Sequence, residues 1–305
     1  MENIGNFDDQ YYVIKPLSVG GVYLVQNNKD KKEYVARIIK KNNNGLDKEL
    51  QMALKASNLN NPNIVHLYHN GIGTLTLNGK VHNDTHYLIM DYCPKKDLFR
   101  YIKNKKLFSE KHAKLIFKKI LNGFKALHEA GICHRNLKLE NILLDQNFNP
   151  KISDFSFSTI FIENNAKVLL NEQVGTTNNK APEINDNRSY NGDKADVFSL
   201  GCILFNLVTG QNGFLKAKEN DNYYKFIRNE QINEYWESLP NEIKNNNFSP
   251  QFKNLYISMV SFQEKNRPTV DQILQDNWFN ELLNLNDQQL EELEKEVRNE
   301  FLQKE

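Results

Sequence analysis

Apolar side chains change rhythm once along this chain. Up to residue 92 they come in short runs bounded by turn residues, and from Asp97 onward they recur at helical spacing. Residues 11–17, 22–26 and 34–39 read as strands, separated by Gly20-Gly21 and by Asn27-Asn28-Lys29-Asp30. Leu50, Ala53 and Leu54 predict a helix over 47–57, which Asn60-Asn-Pro-Asn63 ends. Residues 64–67 and 87–90 predict further strands, with tight turns at Asn70-Gly71 and Asn78-Gly79. Helices are expected over 97–103, 109–128, 195–209, 223–227, 250–260 and 270–277. A last stripe of Leu290, Leu293, Val297 and Phe301 predicts an amphipathic helix over 286–305, capped by Asn286 or Asp287. It is expected to dock as a final helix, the alternative being a partner-binding helix. The pattern divides the chain into an N-terminal extension (1–10), a domain over 11–280 that changes character between 92 and 94, and a tail over 281–305.

Composition narrows this picture. At 305 residues, 39% hydrophobic and 25% charged, the chain has the make-up of a soluble globular protein long enough for a large core. A net charge of +1 removes the electrostatic argument for nucleic-acid or membrane partners. Lys103, Lys105, Lys106, Lys111, Lys114, Lys118 and Lys119 read as a solvated helix face, the alternative being a phosphate- or acid-binding one. Cys93, Cys133 and Cys202 have no metal or CxxC spacing, which points to a reducing compartment and a cytoplasmic location. No signal-type apolar region follows Met1. The apolar run 197–208 is too short, and too interrupted by Ser199, Gly201 and Asn206, to cross a bilayer. The tracts Asn42-Asn43-Asn44 and Asn245-Asn246-Asn247 suggest loops.

The candidate chemistry lies in Ile132-Cys-His-Arg-Asn-Leu-Lys-Leu-Glu-Asn-Ile-Leu-Leu144 and in Lys151-Ile-Ser-Asp-Phe-Ser156. A loop carrying His, Arg, Lys and Asn sits between two apolar runs, and an Asp-Phe pair follows the second. These stretches resemble the catalytic and magnesium loops of eukaryotic protein kinases, whose patterns are HRDxxxxN and DFG. Lys138, inside Leu-Lys-Leu-Glu-Asn, is similar to the serine/threonine branch. Val174-Gly-Thr-Thr-Asn-Asn-Lys-Ala-Pro-Glu-Ile184 resembles the family's CGTPxYxAPE segment, and Asp193-Lys-Ala-Asp-Val-Phe-Ser-Leu-Gly201 its central helix start. Asp276-Asn-Trp-Phe279 is similar to its closing HPWF. The resemblance, which runs from Tyr11 to Phe279, implies an α+β, bilobal protein-kinase-like fold. A small β-rich N-lobe would span 11–92 and a large α-helical C-lobe 94–280. It also implies a buried Glu183–Arg267 ion pair, Asp196 anchoring the catalytic-loop backbone, and His134 stacked on Phe155.

The same resemblance implies a site for ATP and Mg²⁺, altered in several places. Leu17-Ser-Val-Gly-Gly-Val-Tyr-Leu-Val25 lies where the family has LGxGxFGxV. Gly20 matches, Ser18 and Tyr23 replace the flanking glycines, and Val25 takes the closing valine's place. Tyr23 is expected to hold the loop away from a phosphate or to fill the cleft. Arg37 replaces the phosphate-binding lysine, a swap of a compact ammonium for a planar fork. Val35 replaces the small residue over the adenine. The helix partner of Arg37 is Glu49 if Lys48-Glu-Leu-Gln-Met52 is the family's helix segment. The pair is absent if spacing back from Pro62, which lands on Met52, is the right guide. Met90 would be the gatekeeper, Asp91 and Cys93 the hinge, Asp97 a ribose neighbour and Leu143 the floor under the base. Asn141 and Asp154 keep the metal-ligand positions, and their oxygens suit Mg²⁺. Nucleotide binding is expected to be weakened.

At Asn136 the family has the aspartate that accepts the substrate's proton, and an amide is no general base near neutral pH. Lys138 and Thr176 remain to steady the γ-phosphate and the loop. Ser156, in place of glycine, restricts the hinge after Asp154-Phe155. Glu172 lies at the family's activation-loop phosphosite, with Arg135 available to receive an acidic group, so Glu172 is either a solvated loop glutamate or a stand-in for a phosphate that keeps the segment ordered. Together these departures imply a catalytically impaired pseudokinase. It would act as a regulatory or scaffolding protein through unidentified protein partners, another kinase among the candidates. One alternative is an active, atypical serine/threonine kinase transferring the ATP γ-phosphate to protein hydroxyls. The other is an interaction module whose cleft is filled by Tyr23.

Overall fold

The computed structural model describes residues 4–18, 20–39, 46–103 and 107–305, without the side chains of Leu46 and Asp47. Lys105, Lys106 and residues 42–44 lie outside these. The chain divides into two compact units, Met1–Pro94 and Lys95–Glu305.

The first unit is a barrel of six antiparallel strands: β1 (Gly5–Phe7), β2 (Tyr11–Ser18), β3 (Val22–Asn27), β4 (Glu33–Ile39), β5 (Leu67–Leu77) and β6 (Lys80–Asp91). Their order is β1-β2-β3-β4-β6-β5, and β1 closes the ring by pairing with both β2 and β5. Residues 1–10, expected as an extension, therefore contribute a strand of the barrel. Phe7 is fully buried there among Tyr11, Val13, Val25, Ala36, Leu75, Tyr87 and Ile89. Asp8 ties the closure. Its Oδ1 accepts the Thr74 backbone N–H at 2.6 Å and its Oδ2 accepts the Tyr87 hydroxyl at 2.9 Å. A Cβ on Gly73 would fall 1.8 Å from that carboxylate, so a larger residue here would push Asp8 out of these bonds. Asn70-Gly71, expected as a turn, sits within β5, and residues 64–66 precede that strand rather than belonging to it. The turn is at Asn78-Gly79, both with positive φ. Helix α1 (Leu46–Ser57) packs Leu50 and Leu54 on the outside of the barrel against Ile39, Leu67 and Leu88.

The second unit is mainly helical. In chain order it contains α2 (Phe99–Ile102), α3 (Glu110–Glu129), α4 (Pro182–Asn185), α5 (Gly192–Thr209), α6 (Tyr224–Arg228), α7 (Ile232–Ser238), α8 (Asn241–Lys244), α9 (Pro250–Met259), α10 (Val270–Leu274), α11 (Asn280–Leu283) and α12 (Asp287–Lys304). Helix α5 is apolar on nearly every face and buried almost throughout, as expected of a central helix. Short strands β7 (Ile132–Cys133), β8 (Ile142–Leu144), β9 (Pro150–Ile152) and β10 (Thr159–Ile160) pair as β7 with β10 and β8 with β9. The segment joining β7 to β8 carries the candidate chemistry.

The tail helix α12 starts at a capping box formed by Asn286 and Gln289 and buries Leu293, Val297 and Phe301. Phe301 lies 4.9–5.0 Å, centroid to centroid, from the rings of Phe108, Tyr101 and Phe148. The lysines of α3 are not simply solvated. Lys111 meets Glu296 at 2.8 Å, Lys119 meets Glu294 at 2.7 Å, and Lys114 meets Glu281 at 2.7 Å. A basic helix face and an acidic tail, far apart in sequence, pair with each other.

Candidate functional site

In the Met1–Pro94 unit, alternation along β3 and β4 sends Tyr23, Val25, Tyr34, Ala36 and Ile38 into the barrel. Opposed residues of an antiparallel pair share a face, and Val22 pairs with Arg37 while Leu24 pairs with Val35. Leu24, 3% exposed, therefore stands beside Val35. Val25, expected there from the glycine-loop motif, is wholly buried in the barrel core. The motif count is one residue out of phase, and Val-Tyr-Leu-Val is apolar at every position, so alternation gave no warning. Tyr23 is corrected for the same reason. Its ring packs against Phe7 at 6.4 Å, inside the barrel, and neither props the loop nor fills a nucleotide space.

Arg37 Nη2 lies 2.9 Å from Glu49 Oε1, with the two side chains 31% and 19% exposed. The packing of Leu50 and Leu54 sets α1 at the register that allows this contact. Met52, the residue that spacing from Pro62 selects, is a buried apolar position. At the hairpin the left-handed residue is Gly21, at φ +81°, rather than Gly20; Ser18 is exposed at the end of β2. Met90 packs with the Leu50 and Leu54 cluster, and Cys93 is buried. The Asp91 carboxylate accepts the His66 backbone N–H and the Tyr68 hydroxyl, each at 2.9 Å. Burial and that carboxylate push the Tyr68 hydroxyl up to about 12.

In the Lys95–Glu305 unit, Asp196 on α5 holds the loop after β7. Its carboxylate accepts the backbone N–H groups of His134 and Arg135, each at 2.8 Å, and faces His128 Nε2 at 3.0 Å. These fixed bonds support a left-handed backbone at Arg135, φ +63°, which a non-glycine residue adopts only under constraint. Asp154 also has a left-handed backbone, at φ +65°. The His134 ring meets Phe155 edge-on rather than stacked, with centroids 5.6 Å apart.

Asn136 is buried, and its Oδ1 accepts the Thr176 hydroxyl at 2.9 Å. Asn141 Nδ2 donates to the Asn136 carbonyl at 2.8 Å, while Asn141 Oδ1 receives no hydrogen bond among the described residues. Ser156 Oγ donates to Asp154 Oδ1 at 2.8 Å, so the serine acts on the aspartate directly as well as on the backbone. Lys138 is half-buried two residues past Asn136 and makes no ion pair among the described residues. Asp97 and Leu143 are joined by a β-bridge, and Asp97 Oδ1 also accepts the Arg100 N–H at 3.1 Å.

Arg135 turns the other way. Its side chain, 2% exposed, meets Glu172 Oε2 at 2.6 Å, the Phe157 carbonyl at 2.7 Å and the Tyr190 hydroxyl at 3.3 Å. Tyr190 in turn donates to the Glu172 carbonyl at 3.0 Å. Tyr190 and His128 were not expected from sequence; their partners lie tens of residues away and no local pattern marks them. Glu183 and Arg267 form two parallel bonds of 2.7 Å with almost no exposure, and the guanidinium also reaches the Ser261 and Lys194 carbonyls.

A backbone-anchored loop with buried Asn136 and Asn141, an Asp-Phe pair just after strand β9 and an enclosed Glu–Arg pair agree with the sequence model of the protein kinase domain, which matches residues 18–279. The chain belongs to the protein kinase family. Its fold is the bilobal kinase fold, and its domain is serine/threonine kinase-like. Similar proteins include CBL-interacting protein kinase 31 of Oryza sativa subsp. japonica, 34% identical over 193 residues, which are 63% of this chain and 40% of that protein. CBL-interacting serine/threonine-protein kinase 26 of Arabidopsis thaliana is 31% identical over 221 residues, 72% of this chain and 46% of that protein. Sperm motility kinase 2B of Mus musculus is 29% identical over 282 residues, 90% of this chain and 53% of that protein. The chain spans about half the length, or less, of these relatives.

Protein kinases typically use ATP and Mg²⁺. Asn141 Oδ1 and the Asp154 carboxylate are hard oxygen donors of the kind Mg²⁺ takes, so these residues fit the ion. No group of three His, Cys, Asp or Glu side chains suited to a metal occurs among the described residues, which leaves the remaining coordination to phosphate oxygens and water. Bound there, Mg²⁺ would neutralise phosphate charge. Among the described residues no helix is long and apolar enough to cross a membrane.

Proposed function

We propose that this kinase-family chain is a catalytically impaired pseudokinase that acts as a regulatory or scaffolding protein through protein partners. The observation that carries the reading is Asn136. Its side chain occupies the general-base position, cannot take a proton, and already spends its oxygen on the Thr176 hydroxyl at 2.9 Å. It can orient a hydroxyl but not activate one, and loss of acid–base assistance costs about 10²- to 10⁴-fold. Arg37 adds to this, because a planar guanidinium paired with Glu49 is a poor substitute for an ammonium on a phosphate. ATP–Mg²⁺ binding, weakened, is part of the proposal, with Asn141 and Asp154 as the ligands.

The second reading, an active atypical serine/threonine kinase, is favoured by the intact Arg37–Glu49 pair and by the open oxygen of Asn141. One experiment separates them. Thermal shift with and without ATP–Mg²⁺ is run beside a radiolabelled phosphotransfer assay, on the wild type and Asp154→Ala. A metal-dependent shift lost in Asp154→Ala, with transfer no higher than in that variant, is the expected result. Transfer by the wild type that vanishes in Asp154→Ala would establish the active kinase instead.

A further inference from the structure

Of the positions that depart from the kinase pattern, Ser156 is one that the backbone accepts without strain. It stands where the family has glycine, yet it is not among the left-handed positions of this chain; Asp154 is, at φ +65°. A Cβ at 156 therefore meets no conformational penalty from a positive φ, and the hydroxyl it carries makes a contact that glycine cannot. Ser156 Oγ donates to Asp154 Oδ1 at 2.8 Å. The donor itself is held by the chain around it. The Ser158 N–H donates to the Phe155 carbonyl at 3.0 Å, closing a turn over Ser156 and Phe157. The Phe157 carbonyl accepts Arg135 Nε at 2.7 Å.

On the other side of Asp154, the Ser153 N–H and hydroxyl both donate to the Asn141 carbonyl, at 2.9 and 3.0 Å. The backbone flanking Asp154 is thus bonded to the same loop that Asp196 anchors through His134 and Arg135. Asn141 and Asp154 also share a feature at their head groups. Asn141 Nδ2 donates to the Asn136 carbonyl at 2.8 Å, and Asp154 Oδ1 accepts the Ser156 hydroxyl. Each head group has at least one atom fixed by the chain, which limits rotation of its plane. A ligand held in this way has less rotamer freedom left to lose when it takes a metal. Mg²⁺ demands nearly ideal octahedral geometry, so the orientation of its few protein ligands matters.

We propose that Ser156 is a positioning residue for a divalent cation: its hydroxyl orients the Asp154 carboxylate, so that the departure from glycine supports the metal site instead of degrading it. The ionised carboxylate is the form that both takes a metal and holds a hydroxyl donor most strongly, so the two interactions favour the same state of Asp154. This role rests on the reading that Asn141 and Asp154 are the metal ligands, and adds to it the group that sets one of them.

The test is metal binding rather than turnover. Mn²⁺, a paramagnetic substitute for Mg²⁺, is titrated with ATP into the full chain, and protein-bound metal is read by electron paramagnetic resonance against Mn²⁺–ATP alone. Binding of a fluorescent ATP analogue in EDTA is measured beside it. Ser156→Ala should weaken Mn²⁺ by about tenfold or more, the usual cost of losing a group that orients a metal ligand. Ser156→Thr, which keeps the hydroxyl, should recover most of that loss. Ser156→Gly, which restores the family's residue, should fall as Ser156→Ala does, and nucleotide binding in EDTA should be the same in all four proteins. Unchanged Mn²⁺ affinity in Ser156→Ala, or tighter binding in Ser156→Gly, overturns the role. An equal loss of nucleotide binding in EDTA also overturns it, since the defect would then be a general distortion. Mn²⁺ binding lost in Asp154→Ala but kept in Ser156→Ala removes the positioning role alone. Wild type that binds no better than Asp154→Ala removes the metal-ligand reading and this role with it.

Discussion

At Asn136 one amide nitrogen in place of a carboxylate oxygen changes the chemistry while leaving the loop's geometry in place. The backbone bonds from His134 and Arg135 to Asp196 hold that geometry, and they do not depend on the side chain at 136. The substitution could be read directly from sequence, because the residues around it follow the family's order. Glu172 was legible only as a position. That its carboxylate reaches a guanidinium 2% exposed, with Tyr190 bridging the two, is a product of folding. A permanent carboxylate can order this segment where a phosphate otherwise would. Glu172→Ala is expected to cost about 1 kcal/mol, the upper end for a half-exposed ion pair. Limited proteolysis around residues 164–175 should accelerate severalfold, and an unchanged cleavage rate would remove the phosphate-like role.

Among the elements, the barrel closure by β1 shows how a short strand can be invisible in sequence. Gly5–Phe7 is only three residues long, too short for any period to register. Its stability comes from neighbours: Phe7 fills the barrel, and Asp8 satisfies Thr74 N–H and Tyr87 OH. Asp8→Ala leaves two donors without an acceptor and should lower the unfolding free energy by about 2–3 kcal/mol in urea titration. Gly73→Ala, whose Cβ would meet the same carboxylate, should be at least as damaging. Neutral behaviour of both variants would mean that the closure contributes nothing. The strand β3 teaches a related lesson: its apolar residues on both faces concealed a one-residue phase change, so that Leu24 and not Val25 stands beside Val35 and Arg37.

On the scale of the whole molecule, the tail and α3 form a charge-matched seam across nearly two hundred residues of sequence. His112 lies in that seam, beside Glu300 and Glu296, with Lys111 on the same pair of helices. The hydrogen bond to Glu300 raises the histidine's pKa, burial opposes the shift, and Glu296 adds to it. A histidine whose folded value lies above its ordinary one, about 6.5, stabilises the fold fully below that value and loses the contribution as pH rises through the folded value. The thermal midpoint of the wild type should therefore exceed that of His112→Gln most below pH 6. The gap should narrow steadily in more alkaline buffer. A gap independent of pH would show that the imidazolium plays no part in docking the tail.

The sequence alone determined the order of motifs, and with it the family, the fold and the identity of the altered positions. Those features are local: a loop of named residues between two apolar runs, a capped amphipathic tail, a long apolar helix. Contacts between residues far apart in sequence were left to the tertiary structure. Folding selected Glu49 over Met52 as the partner of Arg37, because the side of α1 that meets the barrel is set by where Leu50 and Leu54 pack. It also turned Tyr23 inward and drew Tyr190 to Arg135. Local pattern records which residues want burial or charge; which partner each one meets depends on strand register, helix rotation and loop closure, and those are settled only when the whole chain packs.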